Sequence, residues 1–117
     1  MNSTTKALII KFIMTFVFAA ISFTFIANNT LGWSVIVAIL VTALNYLLGD
    51  LLVLPNFGNI TASIGDGLMG AFTAYLLDIL SRNFATTFYT LSLFAILIVV
   101  GEYFFHQYLF DNKKVSP

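Results

Sequence analysis

The stretch WSVIVAILVTALNYLLGDLLVLPNFGN (Trp33–Asn59) decides the fold. From Trp33 to Leu54 it supplies the roughly 20 mostly apolar residues that a helix needs to cross the hydrocarbon core of a bilayer. It then meets Pro55, which lacks an amide hydrogen and disfavours helix in the residue before it, so the helix is expected to end there. PNFGN (Pro55–Asn59) reads as a turn, because Pro, Asn and Gly set turn dihedrals. Within the apolar run lie Asn45 and Asp50, polar groups at a depth where they are costly unless partnered.

Working outward, three more runs have the same length and character. They are ALIIKFIMTFVFAAISFTFIA (Ala7–Ala27), ITASIGDGLMGAFTAYLLDIL (Ile60–Leu80) and FYTLSLFAILIVVGEYFFHQYL (Phe88–Leu109). The other connectors, NNTLG (Asn28–Gly32) and SRNFATT (Ser81–Thr87), are short, and short connectors make neighbouring helices antiparallel. The expected fold is therefore all-α: a four-helix transmembrane bundle of up-down topology, one domain over residues 1–117, with helices at about 7–27, 33–54, 60–80 and 88–109. The third run is the poorest, because it carries Asp66, Asp78 and several glycines. An Asp at mid-membrane costs about 2.5–3.5 kcal/mol, so this helix is expected to insert with help from its neighbours. The first apolar run, about 21 residues, exceeds the 7–15 of a signal peptide and is expected to be retained.

Composition agrees with a lipid environment. Of 117 residues, 60% are hydrophobic and 9% charged, against about 45–50% and 25% in soluble domains. Five basic and five acidic residues leave no net charge, so no field draws nucleic acid. The chain has no cysteine, which removes disulfides, thiolate metal sites and thiol catalysis. No HExxH, no phosphate-cradling glycine loop and no Ser–His–Asp set at plausible depth is visible. A non-enzymatic protein is expected, with no cofactor, no catalytic residues and no metal site.

Lys6 and Lys11 flank the start of the first helix, and Lys113 and Lys114 follow the fourth. Four crossings put both ends on one side, with only Arg82 on the other, so the positive-inside rule places both termini in the cytoplasm. Trp33 and Tyr89 would then mark the outer interface, and Tyr103 and Tyr108 the inner one.

At 1.5 Å per residue, Lys11, Asp50, Asp66, Glu102 and His106 all fall roughly 6–11 Å inside the cytoplasmic edge, on four helices, with Asn45 slightly deeper. In an antiparallel bundle these form one layer, with Lys11 expected near Asp50 or Asp66. One cation cannot neutralise three carboxylates, so at least one of Asp50, Asp66 and Glu102 must be protonated, share a proton or face water. His106 follows Glu102 at i,i+4 and can touch it. The layer admits two readings: a structural device that fixes helix register, or a proton or cation site. Two Asp, a Glu and a His could ligate a divalent ion, but no ligand-spacing motif supports one.

Asp78 and Arg82, four apart at the outer end of the third helix, are expected to form an ion pair worth about 0.3–0.5 kcal/mol. Small residues recur on that helix: Ser63, Gly67 and Ala71 on one stripe, Gly70 and Ala74 on another. Such residues let helices approach closely in lipid, either within one chain or in a homo-oligomer.

The segments KALIIKFIMT (Lys6–Thr15) and YLLGDLLVLPNFGNITASIGDG (Tyr46–Gly67) resemble the YndM-like family, small membrane proteins of Gram-positive spore-forming bacteria, classed as domain-of-unknown-function family 2512. The resemblance spans nearly the whole chain and is most specific from Gly49 to Asp66. It implies residence in the bacterial plasma membrane and implies no reaction. The family often carries a basic residue after the proline, where this chain has Asn56. The expectation is a small non-enzymatic integral membrane protein whose environment is the lipid bilayer. Two alternatives stay open: a proton- or cation-coupled transporter or channel component using Asp50, Asp66 and Glu102, and an accessory subunit that binds another membrane protein.

Overall fold

In hydrocarbon every backbone N–H and C=O must be satisfied within the protein, and a long helix does this along its own length. The computed structural model describes residues 3–112, and it is helical over the four apolar runs except for Ile26 and Ala27, which form a turn after the first helix. Lys113 and Lys114 lie outside the described residues, as does the side chain of Tyr108. The membrane-crossing segments are Thr4–Phe25, Leu31–Phe57, Asn59–Leu80 and Phe88–Gln107. The third is the least apolar of them. They form an antiparallel bundle 41 Å in its longest dimension, enough to span a hydrocarbon core of about 30 Å.

The first helix starts at Ser3 rather than near Ala7. Helical hydrogen bonding does not stop where hydropathy falls, and the polar turn Ser3–Lys6 extends the rod beyond the apolar run. The second helix also outlasts its expected end. It is α-helical over Leu31–Leu44, π-helical over Asn45–Val53, and closes with a last α-turn, Leu54–Phe57, that contains Pro55. Proline is tolerated in the first turn of an α-segment, where its missing N–H costs little. Asn56 Nδ2 donates to the Leu52 carbonyl at 2.7 Å. The actual break is Gly58, at φ 89°, a backbone region that side-chain-bearing residues rarely adopt. It alone separates the second and third helices.

At the opposite end, the first and third connectors are tied together by Asn29. Its Nδ2 donates to the carbonyls of Phe23 at 2.9 Å and Ala85 at 2.8 Å, and its Oδ1 accepts from Ala85 N–H at 2.9 Å. Thr87 begins the fourth helix with a reciprocal cap: its hydroxyl accepts from Thr90 N–H at 3.1 Å while its own N–H donates to Thr90 Oγ1 at 2.9 Å. Asp78 and Arg82 form no ion pair among the described residues. Asp78 Oδ2 instead accepts from the N–H and hydroxyl of Thr86, at 2.8 and 2.6 Å. The loop brings two donors back to this carboxylate, and an exposed arginine offers less than two fixed hydrogen bonds.

Burial is inverted relative to a soluble bundle. Ile13, Ile39, Leu68, Phe72, Ile96 and Phe104 point outward, while Lys11, Asn45, Asp50, Asp66, Glu102 and His106 point inward. Two apolar layers lie along the axis. The larger, Ala19, Phe23, Val37, Val41, Ala74, Phe84, Phe94 and Ile98, fills the half away from the termini. Phe84 reaches in from the third connector, edge-on to Phe23 at 5.3 Å and stacked on Trp33 at 5.3 Å. The smaller layer, Ala7, Leu54, Ala62 and Phe105, takes one residue from each helix near the termini.

Candidate functional site: a buried ionic centre

The small apolar layer sits one helical turn from the polar residues. Ala7 precedes Lys11 by four, Ala62 precedes Asp66 by four, Leu54 follows Asp50 by four and Phe105 follows Glu102 by three, spacings that share a helix face. The polar residues are thus held between two apolar layers, each at most 2% exposed.

The structure brings five ionisable side chains into one group. Lys11 Nζ donates to Asp50 Oδ2 at 2.8 Å and to Glu102 Oε2 at 2.5 Å. It also lies 5.0 Å from the centroid of the Phe105 ring, a cation–π contact. His106 Nε2 stands 2.9 Å from Asp50 Oδ1, 3.3 Å from Asp66 Oδ2 and 3.9 Å from Glu102 Oε2. Lys11 is therefore shared by Asp50 and Glu102 rather than by Asp66, and His106 is closer to carboxylates across the bundle than to Glu102 on its own helix. Asn45 Nδ2 donates to the Asp66 backbone carbonyl at 3.3 Å, and its Oδ1 has no hydrogen-bond partner.

The π-helical turn explains how one helix supplies both Asn45 and Asp50. In an α-helix residues five apart are about 140° apart around the axis. Hydrogen bonding from i to i+5, seen where Leu54 N–H donates to the Gly49 carbonyl, brings residues five apart onto one face. Gly49 lies between them, and a β-carbon there would overlap the Asp66 carboxylate. Its missing side chain is what lets Asp66 lie against the second helix.

Two contacts of His106 were invisible in the sequence. Asn59, expected only as a turn residue, places Oδ1 2.7 Å from His106 Nδ1. Ser63, expected only as a small packing residue, donates to the same oxygen at 3.0 Å and lies 3.2 Å from Nδ1. Asn59 Nδ2 donates to the Tyr103 carbonyl at 3.0 Å, which fixes the amide orientation and makes Oδ1 the acceptor facing the ring. Nδ1 therefore carries a hydrogen. Nε2 then faces two carboxylate oxygens, and a bare lone pair there would be repelled by both. A positive species, either a proton or a metal ion, belongs between them.

The other singled-out residues of the third helix serve packing. A β-carbon at Gly67 would lie 2.7 Å from the Ala95 carbonyl, and one at Gly70 would meet Ile98, Phe94 and Val41. Ala74 is fully buried in the large apolar layer, and Ala71 is half-buried. The third and fourth helices accordingly share the most extensive contact in the bundle.

Four lipid-facing helices around a buried ionic centre define a multi-pass membrane protein. The chain belongs to the family described as "Protein of unknown function (DUF2512)", which matches residues 2–116. It is similar to the "Uncharacterized membrane protein YndM" of Bacillus subtilis (strain 168), with 40% identity over 77 residues. That match covers 65% of this chain and 43% of the relative, so the chain spans less than half the length of the curated relative it matches. No solved structure matches the chain.

Proposed function

We propose that this is a non-enzymatic protein of the bacterial plasma membrane, with both termini cytoplasmic, whose buried centre takes up a cation as part of a cation-coupled transporter or channel. One observation carries the reading. Asp50, Asp66 and Glu102 are sealed from solvent in one centre with a single lysine, which pairs with Asp50 and Glu102 and leaves Asp66 to His106. Buried charge of one sign in lipid is strongly unfavourable unless compensated, so the surplus carboxylates are built to hold a positive partner. The positive-inside bias supports the cytoplasmic assignment, because four of the five basic residues of the sequence, Lys6, Lys11, Lys113 and Lys114, fall toward the termini and only Arg82 toward the other side. On that side lie the smaller apolar layer, Ala7, Leu54, Ala62 and Phe105, and the half-buried Asn59 that reaches His106. The much larger layer closes the outer half.

The non-enzymatic reading has support in the same geometry. Ser63, His106 and Asp50 fall in the order of a hydrolase triad, but Nδ1 donates its hydrogen to Asn59. It has no lone pair to accept the serine proton, as a general base would need. The accessory-subunit alternative loses its main support, because Gly67 and Gly70 are turned onto helices of the same chain.

The test is flux in proteoliposomes loaded with pH-sensitive and cation-sensitive dyes. Wild-type protein is expected to carry a cation, and Asp50→Asn and Asp66→Asn to abolish the flux. A silent wild type, or variants as active as wild type, would overturn the reading.

A further inference from the structure

We propose that the centre is a binding site for a divalent transition-metal ion, with His106 Nε2 and one oxygen each from Asp50, Asp66 and Glu102 as ligands. The inference rests on the cation-binding reading and names the cation. One ligand atom from each of the four residues lies within 4.8 Å of the others, and all four residues are buried. A metal–ligand distance of about 2.0–2.2 Å needs only a modest inward movement of these side chains.

Three independent features point to a metal rather than to a cluster of acids alone. The first is unsatisfied capacity. Asp66 Oδ2 and Glu102 Oε1 are buried without a hydrogen-bond partner, and Asp66 Oδ2 already faces Nε2 at 3.3 Å. The second is the outer shell of the histidine. A ligating imidazole characteristically donates its other N–H to an oxygen that fixes the ring and its tautomer. Asn59 Oδ1 does this at Nδ1, leaving the Nε2 lone pair directed into the carboxylates.

The third is charge. Three carboxylates, one ammonium, a neutral imidazole and a divalent ion sum to zero, the condition a buried site in lipid favours. Lys11 need not leave, since it holds Asp50 Oδ2 and Glu102 Oε2 while Asp50 Oδ1 and Glu102 Oε1 stay available. It becomes the counter-charge that makes three acids suit a divalent ion. One nitrogen and three oxygens suit Zn²⁺ or Mn²⁺.

The full chain, purified in detergent and stripped with chelator, is titrated with Zn²⁺ and Mn²⁺ by calorimetry. Co²⁺ absorption serves as the coordination signature. One ion per chain is expected, with Asp66→Asn and His106→Gln each weakening binding by about 100-fold or more. Lys11→Met removes the counter-charge, so its thermal stability is expected to fall below that of wild type without metal and to rise when metal is added. No binding by wild type, or equal binding by the Asp66 and His106 variants, overturns the metal site. Asp66-dependent flux that persists with chelator on both sides of the liposome would sink the metal site and leave the cation-coupled reading standing. Metal binding without any flux would do the reverse.

Discussion

His106 is the only histidine in the chain, so its ring nitrogens can be read without ambiguity. With Asn59 Oδ1 at 2.7 Å, ¹⁵N NMR of the detergent-solubilised protein is expected to show a hydrogen on Nδ1. Asn59→Ala should release that constraint and shift the Nδ1 resonance. An unchanged spectrum would remove Asn59 from its orienting role. Gly49 offers a second test at this scale. Gly49→Ala drives a β-carbon into the Asp66 carboxylate. Either the carboxylate leaves its place in the centre or the two helices part, so a loss of about 1–3 kcal/mol in unfolding free energy is expected. The ionisable members of the centre were legible in the sequence because helical rise is constant and depth can be counted along each run. Asn59 and Ser63 were not, because their roles depend on a ring brought in from another helix, and no local pattern records that.

The elements show the same division. Four crossings follow from the length of the apolar runs, and the third connector begins and ends where polar residues begin and end. The second helix was read as stopping at Pro55, but that proline stands in the first turn of a short α-segment, Leu54–Phe57, where its missing N–H costs little. The π-helical segment Asn45–Val53 has no residue signature of its own, since Asn, Gly and Leu occur in every kind of helix. Its consequence, Asn45 and Asp50 on one face, therefore appears only in three dimensions. The close approach of the third and fourth helices was foreshadowed by small residues, but not which stripe faced which neighbour. Gly67→Leu must push against the Ala95 carbonyl and Val99. It is expected to lower the melting temperature in detergent while the protein stays monomeric on sizing. A change in oligomeric size with stability intact would move these residues to an interface between chains. At the other end, Asn29→Ala removes three hydrogen bonds that join two connectors. The loss expected is about 1–2 kcal/mol, because each such bond contributes about 0.5–1.5 kcal/mol net and the Phe23 carbonyl keeps its bond from the Asn29 N–H.

At the scale of the molecule, the chain turns a soluble bundle inside out, with aliphatic side chains against lipid and ionic ones at the axis. Stability then depends on the axis being internally complete. A reporter active only in the cytoplasm, fused after the fourth helix, is expected to be active, and an inactive fusion would reverse the orientation. The deeper claim is that Lys11 and the carboxylates form one energetically coupled centre rather than several separate polar groups. A double-mutant cycle on Lys11→Met and Asp50→Asn, read by reversible unfolding in detergent, tests it most directly. Each single change leaves a buried partner uncompensated and is expected to cost about 3–5 kcal/mol. The double variant should be less destabilised than the two singles together by at least about 1 kcal/mol. Effects that simply add, within about 0.3–0.5 kcal/mol, would mean that the two charges do not sense each other and that the centre is not a unit.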